Sequence, residues 1–135
     1  MRKKVVMFVD DDDSFLYFVR QACRKIEQVH DVLEARDGME GIDRLKDLLR
    51  ENKSLPNLIF VDINMPRLDG FGFLENFNEL RERHHELRDV KPITMLTSSE
   101  QSRDREKAQR LKADQYIVKP ATLAEARQII SEATQ

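Results

Sequence analysis

Five short strand-like segments, VVMFV (5–9), DVLEA (31–35), LIFV (58–61), PITML (92–96) and QYIV (115–118), are separated by segments of helical periodicity. The clearest of them, VVMFV and LIFV, are continuously apolar rather than alternating, which marks strands covered on both faces. From Ser14 onward, Phe15, Leu16, Val19, Ala22, Cys23, Ile26 and Val29 recur at helical spacing. DGMEGIDRLKDLLREN (37–52) places Met39, Ile42, Leu45, Leu48 and Leu49 on one face, and Pro56 then breaks the chain. After the turn chemistry of MPRLDG (65–70), FGFLENFNELRERHHEL (71–87) reads as a helix whose charged end runs into a loop. SRDREKAQRLKA (102–113) has a thin stripe, chiefly Ala108 and Leu111, and TLAEARQIISEA (122–133) closes the pattern. Strand and helix in strict alternation predict an α/β fold, a doubly wound parallel sheet of five strands with helices on both faces.

Residues 1–135 match the size of one domain, and 40% hydrophobic content suffices for one core. The formal net charge of −2, with both signs interspersed, argues against a binder of nucleic-acid backbone. No apolar run reaches membrane-spanning length, and the apolar part of MRKKVVMF meets Asp10 too soon for a signal peptide. The single cysteine, Cys23, excludes an internal disulfide and fits a reducing cytoplasm.

In a parallel sheet of this kind, ligands gather beyond the carboxyl ends of the strands. Asp10 and Asp11 follow the first strand, Asp62 the third, Thr97 and Ser98 the fourth, and Lys119 and Pro120 the fifth. One edge therefore collects three carboxylates, a hydroxyl and an ammonium. Like charges packed this closely need a cation, and an all-oxygen ligand set suits Mg2+. Lys119 and Thr97 suit a phosphate oxygen, and Asp62, alone at the end of the central strand, is a candidate nucleophile for an aspartyl-phosphate. Blander readings stand beside these. Asp12, Asp13 or Ser14 can cap the first helix, and Thr97, Ser98 or Ser99 the fourth. Tyr116 is either a core aromatic or a moving one, and Tyr17 and Phe18 are either core or docking surface. Cys23 reads as buried packing, and His84 and His85 as solvated loop residues.

The segments FVDDDDSF, FVDINMPRLDGFGFL, MLTSS and YIVKP, in this order and each at a strand end, resemble the receiver domain of two-component response regulators. The resemblance implies a flavodoxin-like (βα)5 fold with Asp62 as phosphoacceptor. It implies Mg2+ held by Asp11, Asp62 and the backbone carbonyl of Asn64, with Asp10 acting through a water. Thr97 becomes the switch hydroxyl, Lys119 the phosphoryl-binding lysine, and Tyr116 the aromatic that turns with the switch. The Lys119–Pro120 bond corresponds to a cis peptide in the family. The implied partners are a sensor histidine kinase or histidine phosphotransfer protein and a downstream protein target, with no nucleic acid and no membrane.

A phosphatase of the haloacid-dehalogenase type places its nucleophile on the first strand and its acidic pair late, the reverse of the order here. A constitutive interaction module of the same fold loses an acid or the lysine, and none is missing. The expectation is a stand-alone, chemotaxis-regulator-like receiver, monomeric or dimerising on phosphorylation. Its only catalysis is its own phosphorylation and dephosphorylation, and it signals through residues 101–135. LLRENKSLPN, RERHHELRDVK and LTSS also resemble regulators paired with phytochrome-type kinases.

Overall fold

The computed structural model describes residues 3–135. Its elements run β1 (Lys4–Val9), α1 (Asp13–Arg24), β2 (Val29–Ala35), α2 (Gly38–Arg50), β3 (Leu58–Val61), α3 (Gly70–Arg83), β4 (Ile93–Thr97), α4 (Ser102–Arg110), β5 (Gln115–Val118) and α5 (Leu123–Ala133). A 3-10 turn, His85–Asp89, follows α3. All strand pairs are parallel, in the order β2-β1-β3-β4-β5. The direction of winding reverses between β1 and β3, which opens a crevice at their carboxyl ends. The expected doubly wound α/β sheet is thus present.

Two boundaries differ from the periodic reading. The helical pattern continues to Val29, yet α1 stops at Arg24, and the Lys25 N–H bonds back to the Ala22 and Cys23 carbonyls. Ile26 keeps the apolar phase from inside a turn, and Val29 already pairs with Lys4 in the sheet. After α3, Leu87 keeps helical phase but is buried from the 3-10 turn, whose tighter winding closes the chain toward β4. The bond before Pro120, cis by the family resemblance, is trans; the cis proline bond is Lys91–Pro92.

The sheet separates two cores. Met7, Val9, Ile59, Val61, Ile93 and Met95 face α2 and α3 through Leu45, Phe73, Leu74 and Phe77. Val6, Phe8, Leu58, Phe60 and Leu96 face α1 and α5 through Leu16, Val19, Ala126 and Ile130. Phe8 and Phe60 stack with ring centroids 5.1 Å apart. The ladders run one residue past the strands: Asp10 N–H donates to Ala35, Asp62 N–H to Val9, and Lys119 N–H to Thr97. Alternation therefore applies to these residues as well. Asp10, Asp62 and Lys119 share the phase of Phe8, Phe60 and Ile117, on the α1/α5 side. Thr97 and Tyr116 have the opposite phase, with Met95, on the α3/α4 side.

Gly70 begins α3 against the end of β3, and its N–H donates to the Ile63 carbonyl at 2.8 Å. A Cβ there would fall on the Asp62 carbonyl oxygen and 2.9 Å from the Ile63 Cα. Backbone on the receiving side cannot yield as a side-chain tip can. Gly70→Ala should destabilise the fold by about 1–3 kcal/mol. Chemical denaturation measures this, and stability equal to the parent would contradict the contact.

Candidate functional site

The four consecutive aspartates have four different environments. Asp10 is buried, with 3% of its surface exposed, and its Oδ1 accepts from the Asp12 N–H at 2.9 Å. Asp11 is exposed. Asp12 is the N-cap of α1, accepting from the Ser14 and Phe15 N–H groups. Asp13 opens the helix and pairs with Arg36 at 2.8 Å in solvent. The acidic run is a strand end, a helix cap and a first helical turn laid end to end, with acids suited to the positive end of the helix dipole.

At the end of β3, Asp62 is buried, and its Oδ1 accepts from the Ile63 N–H at 2.8 Å. One carboxylate oxygen from each of Asp10, Asp11 and Asp62 lies within 4.8 Å of the others. Lys119, at the end of β5, reaches over this cluster. Its Nζ is 2.9 Å from Asp10 Oδ2 and 3.4 Å from Asp62 Oδ2, and lies 4.4 Å from the centroid of the Phe15 ring. Burial pulls the Lys119 amine down, but its contacts with Asp10 and Asp62 more than reverse this, so it is held above the ordinary amine range. Burial pushes the Asp10 carboxyl up, and the Lys119 ammonium only partly opposes that. One ammonium thus leaves the cost of burying Asp10 incompletely offset. An all-oxygen cluster with unbalanced negative charge, open to solvent at Asp11, fits a hard divalent cation such as Mg2+ that keeps several waters.

Asp10, Asp11, Asp62 and Lys119 therefore come together as their strand-end positions predict. Asn64 is exposed on the loop from β3 to α3. Thr97 is fully buried, and its hydroxyl accepts from the Ser99 N–H at 3.3 Å. Ser99, not Thr97, serves the start of α4, through Asp104 at 2.6 Å and the Gln101 N–H at 3.3 Å. Tyr116 is half-buried and turned toward the loop between β4 and α4. Its hydroxyl donates to the Ser99 carbonyl at 2.9 Å, and the Arg105 guanidinium covers its ring at 4.5 Å. Cys23 is a buried thiol pushed up to about 12 by burial, as packing implies.

Two features escaped the sequence pattern. Phe15 shows only as an apolar helix position, yet its ring forms a wall for Lys119. Asp37 caps α2 and also takes the fork of Arg67 from the loop after β3. The spacing of DGMEG hints at the cap but not at a partner 30 residues away.

Lys119→Met keeps the stem and removes the charge, leaving Asp10 buried beside Asp62 without its cation. Without divalent metal, this variant should lose about 2 kcal/mol, less than the ~3–5 of a fully enclosed pair because Asp11 opens the cluster to water. Urea unfolding at neutral pH tests this, and an undiminished stability would show that the ammonium does not offset the cluster.

The family model of the response regulator receiver domain matches residues 6–131. A probable transcriptional regulator ycf27 from Porphyridium aerugineum is 38% identical over 120 residues, 89% of this chain and 43% of that protein. Protein PilG from Pseudomonas aeruginosa is 30% identical over 85% of this chain and 76% of its own length. The chain thus spans less than half of some of the curated relatives it matches. Among solved structures, the phosphorylated cyanobacterial phytochrome response regulator RcpA is similar, with a TM-score of 0.77 and 28% identity over 96% of this chain and 90% of that one. A CheY-like receiver domain protein from Methanospirillum hungatei JF-1 has a TM-score of 0.75 and 26% identity over 98% and 94% of the two chains. With a match across nearly its whole length and this acidic crevice at the sheet's switch point, the chain belongs to the response regulator receiver domain family.

Proposed function

We propose that this receiver accepts a phosphoryl group onto Asp62 from a phosphohistidine of a sensor histidine kinase or histidine phosphotransfer protein. Asp11, Asp62 and the Asn64 backbone carbonyl would hold Mg2+, with Asp10 acting through a water. The observation that carries this reading is the Lys119 ammonium set between Asp10 and Asp62 at the rim of β3, with Asp11 in the same cluster.

The Ile63 N–H fixes the Asp62 carboxylate through Oδ1. A carboxylate oxygen of Asp62 bonds to phosphorus as the phosphorus–nitrogen bond of the donor breaks, and the imidazole leaves with the electron pair. Bound Mg2+ supplies charge neutralisation for the transferring oxygens. Lys119 donates to one of them, and the Phe15 ring limits where the ammonium can go. Hydrolysis of the acyl phosphate returns Asp62, so the only chemistry is the domain's own phosphorylation and dephosphorylation. Residues 1–135 act as one receiver unit, monomeric or dimerising on phosphorylation, in the cytoplasm. Among the described residues no helix is long and apolar enough to cross a membrane.

Phosphorylation adds roughly −1.5 to −2 charge at Asp62. Thr97 responds by drawing its hydroxyl toward the phosphoryl group, and Tyr116 follows. The element between them is weakly held: Ala108 is the buried residue of α4. The changed surface is α4, β5 and α5, residues 101–135, which binds a downstream protein or passes the phosphoryl group on.

Asp62→Asn should abolish labelling by a small phosphodonor with Mg2+ present while leaving the fold intact. Intact mass measures this, and normal labelling of the variant would overturn the assignment. Hydrogen exchange with and without a stable phosphoryl mimic should change across residues 101–118 as well as around Asp62. A change confined to Asp62 would remove the switch and favour a constitutive module.

A further inference from the structure

The loop between Asp62 and Gly70 carries two of the groups assigned above to the cation, the Asp62 carboxylate and the Asn64 carbonyl. Its conformation depends on a residue that ordinary turn chemistry does not favour. Arg67 has φ 64°, in the left-handed region that glycine enters freely and arginine does not. Its side chain spans to the start of α2, where Nε and Nη2 fork onto Asp37 Oδ2 and Oδ1 at 2.8 and 3.1 Å. Asp37 is buried, with 7% of its surface exposed, and simultaneously caps α2 by accepting from the Glu40 N–H at 2.8 Å. Beside the fork, the Gly38 N–H donates to the Leu68 carbonyl at 2.8 Å, and a Cβ on Gly38 would come 2.6 Å from that oxygen. The Gly70 N–H closes the far end onto Ile63. The loop is thus tied to α2 in its second half and to its own origin at Gly70, with Asn64 between the two ties.

As a stability device the pair is weak, because the Arg67 side chain is 60% exposed. It opposes a strained backbone, so its effect falls on loop shape. We propose that Arg67 and Asp37 are positioning residues for the cation: the fork from α2 holds the loop in the conformation that presents the Asn64 backbone to the Asp10–Asp11–Asp62 cluster. This rests on the metal reading given above. Arg67 touches none of the three carboxylates and acts only through the loop. The bidentate fork holds the direction of the side chain as well as its distance, which a lysine in its place would not do.

The sign of one substitution separates this role from plain electrostatics. Arg67→Gly removes a cation near an acidic site, so Coulomb's law alone would tighten Mg2+ binding. It also relieves the positive φ, which offsets part of the stability lost with the fork on Asp37, so the apo variant should still fold cooperatively. If the clamp positions the loop, Mg2+ affinity should instead fall by about tenfold, as for other residues that orient metal ligands. Asp37→Asn keeps a capping oxygen but loses the charged fork and should weaken Mg2+ to a similar extent. The double variant should be no weaker than either single one. Arg67→Lys, retaining charge without the fork, should lie between parent and glycine.

The experiment is Mg2+ titration of the purified full chain by calorimetry, with urea unfolding of each apo variant and Asp11→Ala as the reference for a lost ligand. Weakened binding in an Arg67→Gly variant that still unfolds cooperatively, with non-additive loss in the double variant, supports the clamp. Binding in Arg67→Gly equal to or tighter than the parent overturns it. Should Arg67→Gly fail to fold, Arg67→Lys and Asp37→Asn decide by the same comparison. Absence of Mg2+ binding in the parent, or binding undisturbed in Asp11→Ala, would overturn the metal reading and the clamp with it.

Discussion

A single ammonium held between two buried carboxylates is the constraint around which this structure is arranged. Lys119 lies 2.9 Å from Asp10 and 3.4 Å from Asp62. Those three residues come from the ends of β1, β3 and β5, which are not adjacent in sequence and are assembled only when the sheet forms. Buried charge of this kind is costly unless paired. The parallel sheet supplies the pairing because each ladder continues one residue beyond its strand, fixing each backbone, and because alternation turns all three side chains to the same face. Beneath them the stacked Phe8 and Phe60 fill the strand interior, so the polar groups are confined to the rim.

The arrangement is unbalanced by design of its charges. One lysine faces three carboxylates, and burial still outweighs its help at Asp10. The cluster thus keeps an excess of negative charge that its one ammonium does not cancel. The other acids of the run are engaged elsewhere. Asp12 is consumed by the helix cap and Asp13 by Arg36, so neither adds its charge to the cluster at close range.

Much of this was legible in the sequence, for reasons that can be named. Continuous apolar runs announce strands buried on both faces, and the residue after each run is then forced to the sheet edge. Asp10, Asp62 and Lys119 stand at those positions, and the structure brings them together. What failed was whatever depends on two elements meeting. Val29 sits in helical phase with Ile26, but pairing with Lys4 claims it for β2. Leu87 sits in phase with Leu80, but the chain reaches its pocket through a 3-10 turn. MPRLDG declares a turn, yet nothing local says that Arg67 takes a left-handed backbone or that Asp37 receives its fork. Phe15 is apolar at a helical position whether or not a lysine lies on its ring. Local pattern encodes which side of an element is apolar; it does not encode what arrives from 30 or 100 residues away.

The alternation that aligns the charged groups also divides the molecule's tasks. Asp10, Asp62 and Lys119 lie in phase with the α1/α5 core, whereas Thr97 and Tyr116 lie in phase with the core beneath α3 and α4. Among the described residues, no core residue belongs to both clusters. Substitutions packed against α1 and α5 therefore bear first on the face that carries the charged cluster, and substitutions beneath α4 on the face that carries Thr97. A lineage carrying this fold can repack one core at a time, because each face of the sheet has its own set of residues to vary.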